Sequence, residues 1–133
     1  MHTYLNALRK RLAHQESGFT LVELLIVLVI IGILLAIAVP SYLGFRDNAT
    51  RAAVKANVRS AVPAAEAYYA DNGTYLGMDT TALQTIDAGL KVTVVDATGT
   101  SYCITNSISG FSYQKAGPGA TIVEGTCTVL VIA

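Results

Sequence analysis

The chain has 133 residues, with nine basic and nine acidic side chains and a formal net charge of zero. This balance produces no strong whole-protein field, so it gives no reason to expect nucleic acid or acidic substrates as partners. The hydrophobic fraction is 53% and the charged fraction only 14%, whereas ordinary soluble domains carry about 25% charged residues. The length suggests one domain with additional segments, and the apolar excess is concentrated near the N-terminus.

Residues 1–18 are short, basic and polar, and they are predicted to be a leader that is not part of the fold. Arg9, Lys10 and Arg11 precede the apolar region, and basic residues on that flank favour retention of this end in the cytoplasm. No convincing small-residue cleavage site follows the apolar region, although a secretory signal would have one there. The candidate junction is therefore Gly18–Phe19, before the apolar region.

Residues 20–70 are predicted to form one long helix. Its part from Leu24 to Phe45 contains no charge, and at ~1.5 Å per residue it would extend about 33 Å, close to the thickness of bilayer hydrocarbon. A buried core helix is the alternative, but the remaining chain is too short to surround it. Residues 19–45 are therefore predicted to cross a membrane once, and residues 46–70 to form an amphipathic second half.

Three positions in this helix are predicted to be weak points or kinks. Pro40 and Pro63 each lack a backbone donor and clash with the preceding turn, so a bend is expected at both. Gly32 is a third weak point because glycine is a poor helix former. An Ala-rich stripe on the second half is predicted to receive a sheet, and it comprises Ala49, Ala52, Ala53, Ala56, Val62, Ala65 and Tyr69.

Residues 71–133 are predicted to form a loop and a small antiparallel sheet. The pair Asn72-Gly73 is a helix stop signal, and a short helical turn is expected near Thr80–Thr85. Four strand-like segments follow at close spacing, namely Leu90–Val95, Ser101–Ser107, Phe111–Lys115 and Thr126–Ile132. The predicted fold class is α+β, with a long N-terminal helix packed by a small antiparallel β-sheet.

Cys103 and Cys127 lie 24 positions apart, which excludes a CxxC redox pair and a zinc cluster. Both lie in the part of the chain that is expected to be translocated, where thiols oxidise. A disulfide is the favoured interpretation, and two unpaired buried thiols are the alternative.

Glu23 is the unusual residue of the apolar segment, because it places a carboxylate just inside the start. Taken alone, it would be interpreted as a solvated interfacial residue without a role. However, a basic leader ending in Gly18, then Phe19, Glu23 and an apolar stretch to Pro40 resembles the type IV pilin family. The resemblance is strongest over residues 17–46 and weaker at YYADNGTY, residues 68–75, whereas the C-terminal half matches only in general layout.

The resemblance implies a role for each residue of the junction. A prepilin peptidase on the cytoplasmic face would cut between Gly18 and Phe19, and the new amino terminus of Phe19 would be methylated. Gly18 presents no side chain, so the backbone could approach the peptidase closely. Glu23 would be the assembly carboxylate that meets the Phe19 ammonium of a neighbouring subunit. The helix between Gly32 and Pro40 would either lose regular structure in a filament or keep a static kink.

The resemblance also implies partners and a location. The partners would be further copies of the chain in a helical filament, the prepilin peptidase and the inner-membrane assembly machinery. The subunit would be a single-pass protein of the inner membrane before assembly, and part of a pilus at the cell surface afterwards. The implied function is that of a structural pilus subunit for adhesion, twitching motility or DNA uptake.

Two alternatives stay open within the family. The first is a major pseudopilin of type II secretion, although the cysteine pair and the lack of a calcium loop favour a pilin. The second is a minor pilin that binds DNA through Arg51, Lys55 and Arg59, which recur every four residues. A solvated or subunit-facing basic stripe is the favoured interpretation of these three residues, so DNA is a weakly supported partner.

Catalysis and cofactor binding find little support in the sequence. His2 and His14 both lie in the leader, so processing would leave no histidine base and no Ser-His-Asp set. No EF-hand spacing occurs. No catalytic, cofactor-binding or metal-ligating residue is assigned, and the chain is not predicted to be an enzyme. A single-span membrane enzyme has no supporting constellation.

Overall fold

The computed structural model describes residues 18–128. The elements are helix α1 (Leu21–Asn72), helix α2 (Thr80–Ile86) and strands β1 (Thr93–Ala97), β2 (Tyr102–Ile108), β3 (Phe111–Ala116) and β4 (Val123–Glu124). The predicted α+β class, with a long helix packed on a small antiparallel sheet, is confirmed. The chain divides into two compact units between Leu43 and Gly44.

Helix α1 ends two residues beyond the predicted boundary, at the expected stop signal. Gly73 has a φ of 68°, in the left-handed region that glycine adopts without steric cost. Its backbone N–H donates to the carbonyl of Tyr69 at 2.7 Å, which satisfies one of the carbonyls that the helix end leaves free. Helix α2 begins at the expected position, where the side chain of Asp79 caps it by accepting a bond from the N–H of Ala82.

The sheet is an antiparallel meander with the strand order β1-β2-β3-β4. Strands β2 and β3 are joined by Ser109 and Gly110, whose φ values of 51° and 85° are both positive. Two consecutive positive φ values are typical of the type I′ turn, whose twist matches that of the strands it connects. The register between β1 and β2 shifts between Val94 and Asp96.

Two of the predicted strands differ from those in the structure. The first begins at Thr93 and not at Leu90: Leu90 and Val92 are buried, but they lie in the irregular segment between α2 and the strand. The prediction of a strand over Thr126–Ile132 is wrong for residues 126–128, and residues 129–133 lie outside the described part. The fourth strand is instead Val123–Glu124, and it stops before Gly125, which has a φ of 132°.

The core of the second unit lies between helix α1, helix α2 and the sheet. Buried residues from these elements form one cluster, to which α1 contributes Val58, Ala61, Ala64 and Ala65, and the rest of the unit contributes Tyr75, Met78, Leu83, Leu90, Val92, Tyr102 and Ile104. Hydrophobic burial is the main favourable term for such a cluster. The helix contributes mostly small residues to this core, and the rest of the unit contributes larger ones.

The face of α1 that enters this core differs from the predicted Ala-rich stripe. Four of its members, Ala49, Ala52, Ala53 and Ala56, are exposed, and Tyr69 is also exposed, whereas Ala65 is buried and Val62 half-buried. The buried face instead begins with Val54 and Val58. Val54, Val58, Ala61 and Ala65 recur at spacings of four, three and four residues, which places them on one face of the helix.

We predict that Ala61→Leu destabilises the second unit, whereas Ala53→Leu does not. Ala61 is fully buried in the core, and added methylenes in a packed core cost about 1–3 kcal/mol. Ala53 is exposed on the same helix, so the matched substitution should change the free energy of unfolding by less than about 0.5 kcal/mol. Denaturant unfolding of the full chain in detergent micelles, followed by near-UV circular dichroism, measures both values. Equal effects would contradict the assigned core face.

Candidate functional site

The candidate site lies at the start of helix α1, where the sequence predicts a processing junction. Gly18, Phe19 and Thr20 precede the helix and are exposed, and Phe19 has 90% of its surface accessible. A Cβ placed on Gly18 would meet no atom within 4 Å. The backbone on both sides of the Gly18–Phe19 bond is therefore open to solvent.

Thr20 and Glu23 form a reciprocal capping box. The backbone N–H of Thr20 donates to Oε2 of Glu23 at 2.8 Å, and its hydroxyl donates to the same oxygen at 3.0 Å. In return, the N–H of Glu23 donates to the Thr20 hydroxyl at 3.2 Å. These bonds satisfy donors that the first turn of a helix leaves without partners. They also direct the Glu23 carboxylate back toward the junction.

The capping box brings the predicted junction residues together. Gly18, Phe19, Thr20 and Glu23 line one surface depression. Thr20 has no role in the sequence-based prediction, although the pattern T-x-x-E before an apolar run is a recognised signal for a capping box. Glu23 thus has a structural role within its own chain, in addition to any role between chains.

An uninterrupted apolar surface follows the junction. Every residue of α1 from Leu21 to Ala49 is exposed, and the large apolar side chains among them include Leu24, Leu25, Ile26, Val27, Leu28, Val29, Ile30, Ile31, Ile33, Leu34, Leu35 and Ile37. By length and composition, α1 qualifies as a helix that could cross a membrane. So large an exposed apolar surface requires lipid or other protein chains around it.

Gly32, Pro40 and Pro63 do not interrupt the helix. Hydrogen-bonded helix continues through all three positions from Leu21 to Asn72. The hydroxyl of Ser41, next to Pro40, donates to the carbonyl of Ile37 at 3.3 Å. Bends at the three positions stay predictions.

Cys103 and Cys127 are joined in the structure by a disulfide with a Cα–Cα distance of 5.9 Å. Cys103 lies on β2 and is buried, whereas Cys127 follows β4. The bond therefore ties the segment after the last strand to the centre of the sheet. The disulfide is confirmed, and the alternative of two unpaired thiols is wrong.

The structure divides the predicted basic stripe into two groups. Arg51 pairs with Glu124 at 2.7 Å, and its guanidinium lies 4.2 Å from the centre of the Phe111 ring. Arg51 thereby connects the helix to β3 and β4. Lys55 and Arg59 lie instead at a separate cleft with Lys115, so the three residues do not act as one surface.

A cluster of tyrosines lies at the C-terminal end of α1. The hydroxyl of Tyr75 donates to Glu66 at 3.1 Å, and its ring packs 4.6 Å from that of Tyr69 and 4.8 Å from that of Tyr102. Burial, followed by the hydrogen bond to Glu66, raises the pKa of Tyr75 to about 12. Burial likewise raises the pKa of Tyr102. Both phenols are therefore held in their neutral form.

Metal ligation finds no candidate among residues 18–128, where no group of three or more His, Cys, Asp or Glu side chains is placed to hold an ion.

Comparison with known proteins identifies the class to which this junction belongs. Residues 14–39 match the prokaryotic N-terminal methylation motif. The chain is 37% identical over 98 residues to the type IV wide pilus major component PilA4 of Thermus thermophilus, an alignment that covers 71% of this chain and 75% of that protein. It is 32% identical over 115 residues to the fimbrial protein EcpC of Eikenella corrodens, covering 84% of this chain and 75% of that protein.

The chain also resembles a secretion protein over a shorter region. It is 39% identical over 61 residues to the type II secretion system core protein G of Pseudomonas aeruginosa, which covers 46% of this chain and 43% of that protein. No solved structure gives a significant match. The chain belongs to the type IV pilin family, in the broad sense that includes the pseudopilins of type II secretion.

We predict that loss of the Cys103–Cys127 bond lowers the free energy of unfolding by about 3 kcal/mol, because the bond restricts a loop of intermediate length in the unfolded chain. A double Cys103→Ala and Cys127→Ala variant, unfolded in denaturant and compared with the oxidised wild type, measures this loss. Reductant should destabilise the wild type and leave the variant unchanged. A variant as stable as the oxidised wild type would contradict the structural role of the bond.

We predict that the second unit loses stability between about pH 10 and pH 12. The pKa of Tyr75 is raised from 10.0 to about 12 in the folded chain, so its contribution is fully present below pH 10 and decreases as the pH rises toward 12. The unfolding midpoint measured from pH 8 to pH 12 should fall less steeply above pH 10 in Tyr75→Phe. Below pH 9 the unfolding midpoints of the two proteins should change with pH in the same way. Equal slopes of midpoint against pH above pH 10 would contradict this assignment.

Proposed function

We propose that this chain is the structural subunit of a type IV pilus, made as a prepilin and polymerised through its N-terminal helix. The observation that carries the proposal is the exposed apolar surface of α1, which begins next to a carboxylate held at the helix start. Such a helix can be solvated by lipid in a monomer and by other copies of itself in a filament. The two relatives that are matched over three quarters of their length are named as a pilus component and a fimbrial protein.

Processing is proposed to remove residues 1–18 by cleavage between Gly18 and Phe19, followed by methylation of the Phe19 amine. The match to the N-terminal methylation motif supports this step. The exposure of Gly18 and Phe19 outside the helix supports it as well, because a peptidase needs an extended, accessible backbone. Residues 19–45 then anchor the subunit in the inner membrane, residues 46–70 continue the helix, and residues 71–133 form the domain on the far side.

Glu23 is proposed to pair with the Phe19 ammonium of a neighbouring subunit. Both bonds from Thr20 end on Oε2, and within residues 18–128 no bond to Oε1 is present, so this oxygen can accept from another chain. A carboxylate among apolar helices requires a partner. The capping box limits the directions in which the carboxylate can point, and this would fix the axial offset between subunits.

Assembly is proposed to move the subunit from the inner membrane to the cell surface through the inner-membrane assembly machinery. Hydrophobic burial gives little net drive for this exchange, because lipid tails are as apolar as the neighbouring helices. Packing of α1 against other copies and the Glu23 pair would therefore supply specificity. The filament would serve adhesion, twitching motility or DNA uptake.

A major pseudopilin of type II secretion is the second candidate, and the match to secretion protein G favours it. That match covers less than half of the secretion protein, whereas the pilus relatives are matched over three quarters of their length. The pilus subunit is therefore the preferred function. A DNA-binding minor pilin gains less support, because Arg51 is already paired with Glu124.

We predict that Glu23→Ala blocks filament formation and leaves cleavage at Gly18 largely intact. The reason is that Glu23 would act in contacts between subunits and would not be needed for cleavage by the peptidase. Sheared surface material and membranes, probed for the processed chain, separate these two steps. Asp47→Ala is the matched control, since it removes an exposed carboxylate from the same helix outside the apolar segment. Normal filament abundance in Glu23→Ala would contradict the proposed role of Glu23.

We further predict that mass spectrometry of sheared surface material detects a chain that starts at methylated Phe19 and lacks two hydrogens at its cysteines. Processed chain confined to the membrane fraction would favour the pseudopilin or the minor subunit. A chain that starts near Met1 in both fractions would contradict the processing step.

A further inference from the structure

A cleft of about 580 Å³ lies in the second unit between helix α1 and the segment that follows β3. It is lined by Lys55, Arg59, Val62, Pro63, Lys115, Ala120, Thr121 and Ile122. Three of these eight side chains are basic and none is acidic. The cleft shares no residue with the Gly18–Phe19 junction, so an inference from it does not depend on filament formation.

Lys115 is the buried member of the cleft, with only 6% of its surface accessible. Its ammonium donates to the carbonyl of Pro118 at 3.0 Å and to the carbonyl of Ala120. An ammonium has three donors, so one remains available. Carbonyl oxygens orient the ammonium but leave its charge uncompensated, and a buried charge without a counter-ion is costly.

The other two basic residues increase this excess of positive charge. Lys55 and Arg59 lie one helical turn apart on α1, and both are exposed. Within residues 18–128, the ion pair present is that of Arg51 with Glu124. Lys55, Arg59 and Lys115 therefore face the same cleft without a carboxylate partner in the described part of the chain, and their combined field attracts anions.

We propose that this cleft binds a phosphate group. A guanidinium offers paired donors that match the oxygens of a phosphate, and the two ammonium groups are better neutralised by a phosphate dianion than by a singly charged carboxylate. The hydroxyl of Thr121 at the cleft can donate as well. Val62, Pro63 and Ile122 also line the cleft, and they would contact the organic part of a phosphorylated compound.

The test uses the full chain in detergent micelles and inorganic phosphate as the probe, with binding measured by titration calorimetry at constant ionic strength. Saturable binding is expected, and Arg59→Gln should weaken it by roughly tenfold or more, since hydrogen bonds to charged groups are lost. Arg46→Gln is the matched control, because Arg46 is exposed on the same helix but does not line the cleft. Arg59 is exposed, so its substitution should not prevent folding.

A second arm replaces inorganic phosphate with a short single-stranded oligonucleotide and distinguishes a free phosphate from a polymer phosphodiester. Binding of either probe that Arg59→Gln weakens and Arg46→Gln does not would support the proposal. Absence of saturable binding by both probes would overturn it, and so would equal losses in the two variants. If neither probe binds and Arg59→Gln reduces filament assembly, the cleft takes a carboxylate of a second copy and the phosphate proposal is wrong.

Discussion

The apolar surface of helix α1 is the constraint on which the rest of this protein depends. Residues 24–45 carry no charge, and their side chains are exposed within the chain. Water is a poor solvent for so much apolar area, so the helix requires lipid or other copies of itself. The proposed leader and processing junction, and the folded domain that follows the helix, are all compatible with this requirement.

The carboxylate at the start of the helix is the second constraint, and the structure explains how it can be retained there. Thr20 and Glu23 satisfy each other's polar groups, so the carboxylate is not left without hydrogen bonds before assembly. One oxygen of Glu23 is occupied by this capping box, which leaves the other to accept from a neighbour. The same residue stabilises the end of its own helix and, in the proposed filament, would also pair with a neighbouring subunit.

The second unit depends on long-range contacts that connect it to the helix. Ala61 and Ala65 share a buried cluster with residues of the sheet, Arg51 joins the helix to Glu124, and the disulfide holds the segment after β4 against β2. A small sheet beside a single helix has a limited core, so the disulfide adds to stability that the core alone supplies only in part. Lys115 differs from Arg51, because no carboxylate in the described part of the chain compensates its buried charge.

Much of this organisation can be predicted from the sequence, because it depends on local patterns. The uncharged run predicts the apolar helix, Asn72-Gly73 predicts its end, and close spacing of short apolar segments predicts an antiparallel meander. The T-x-x-E pattern formed by Thr20 and Glu23 also indicates the capping box, although the sequence-based prediction assigns no role to Thr20. By contrast, only the tertiary structure decided that the buried face of α1 begins with Val54 and Val58, that the fourth strand lies at Val123–Glu124, and that Lys115 joins Lys55 and Arg59 at one cleft. These features depend on which distant side chains meet, and the free energy of that packing is not encoded in any one local segment.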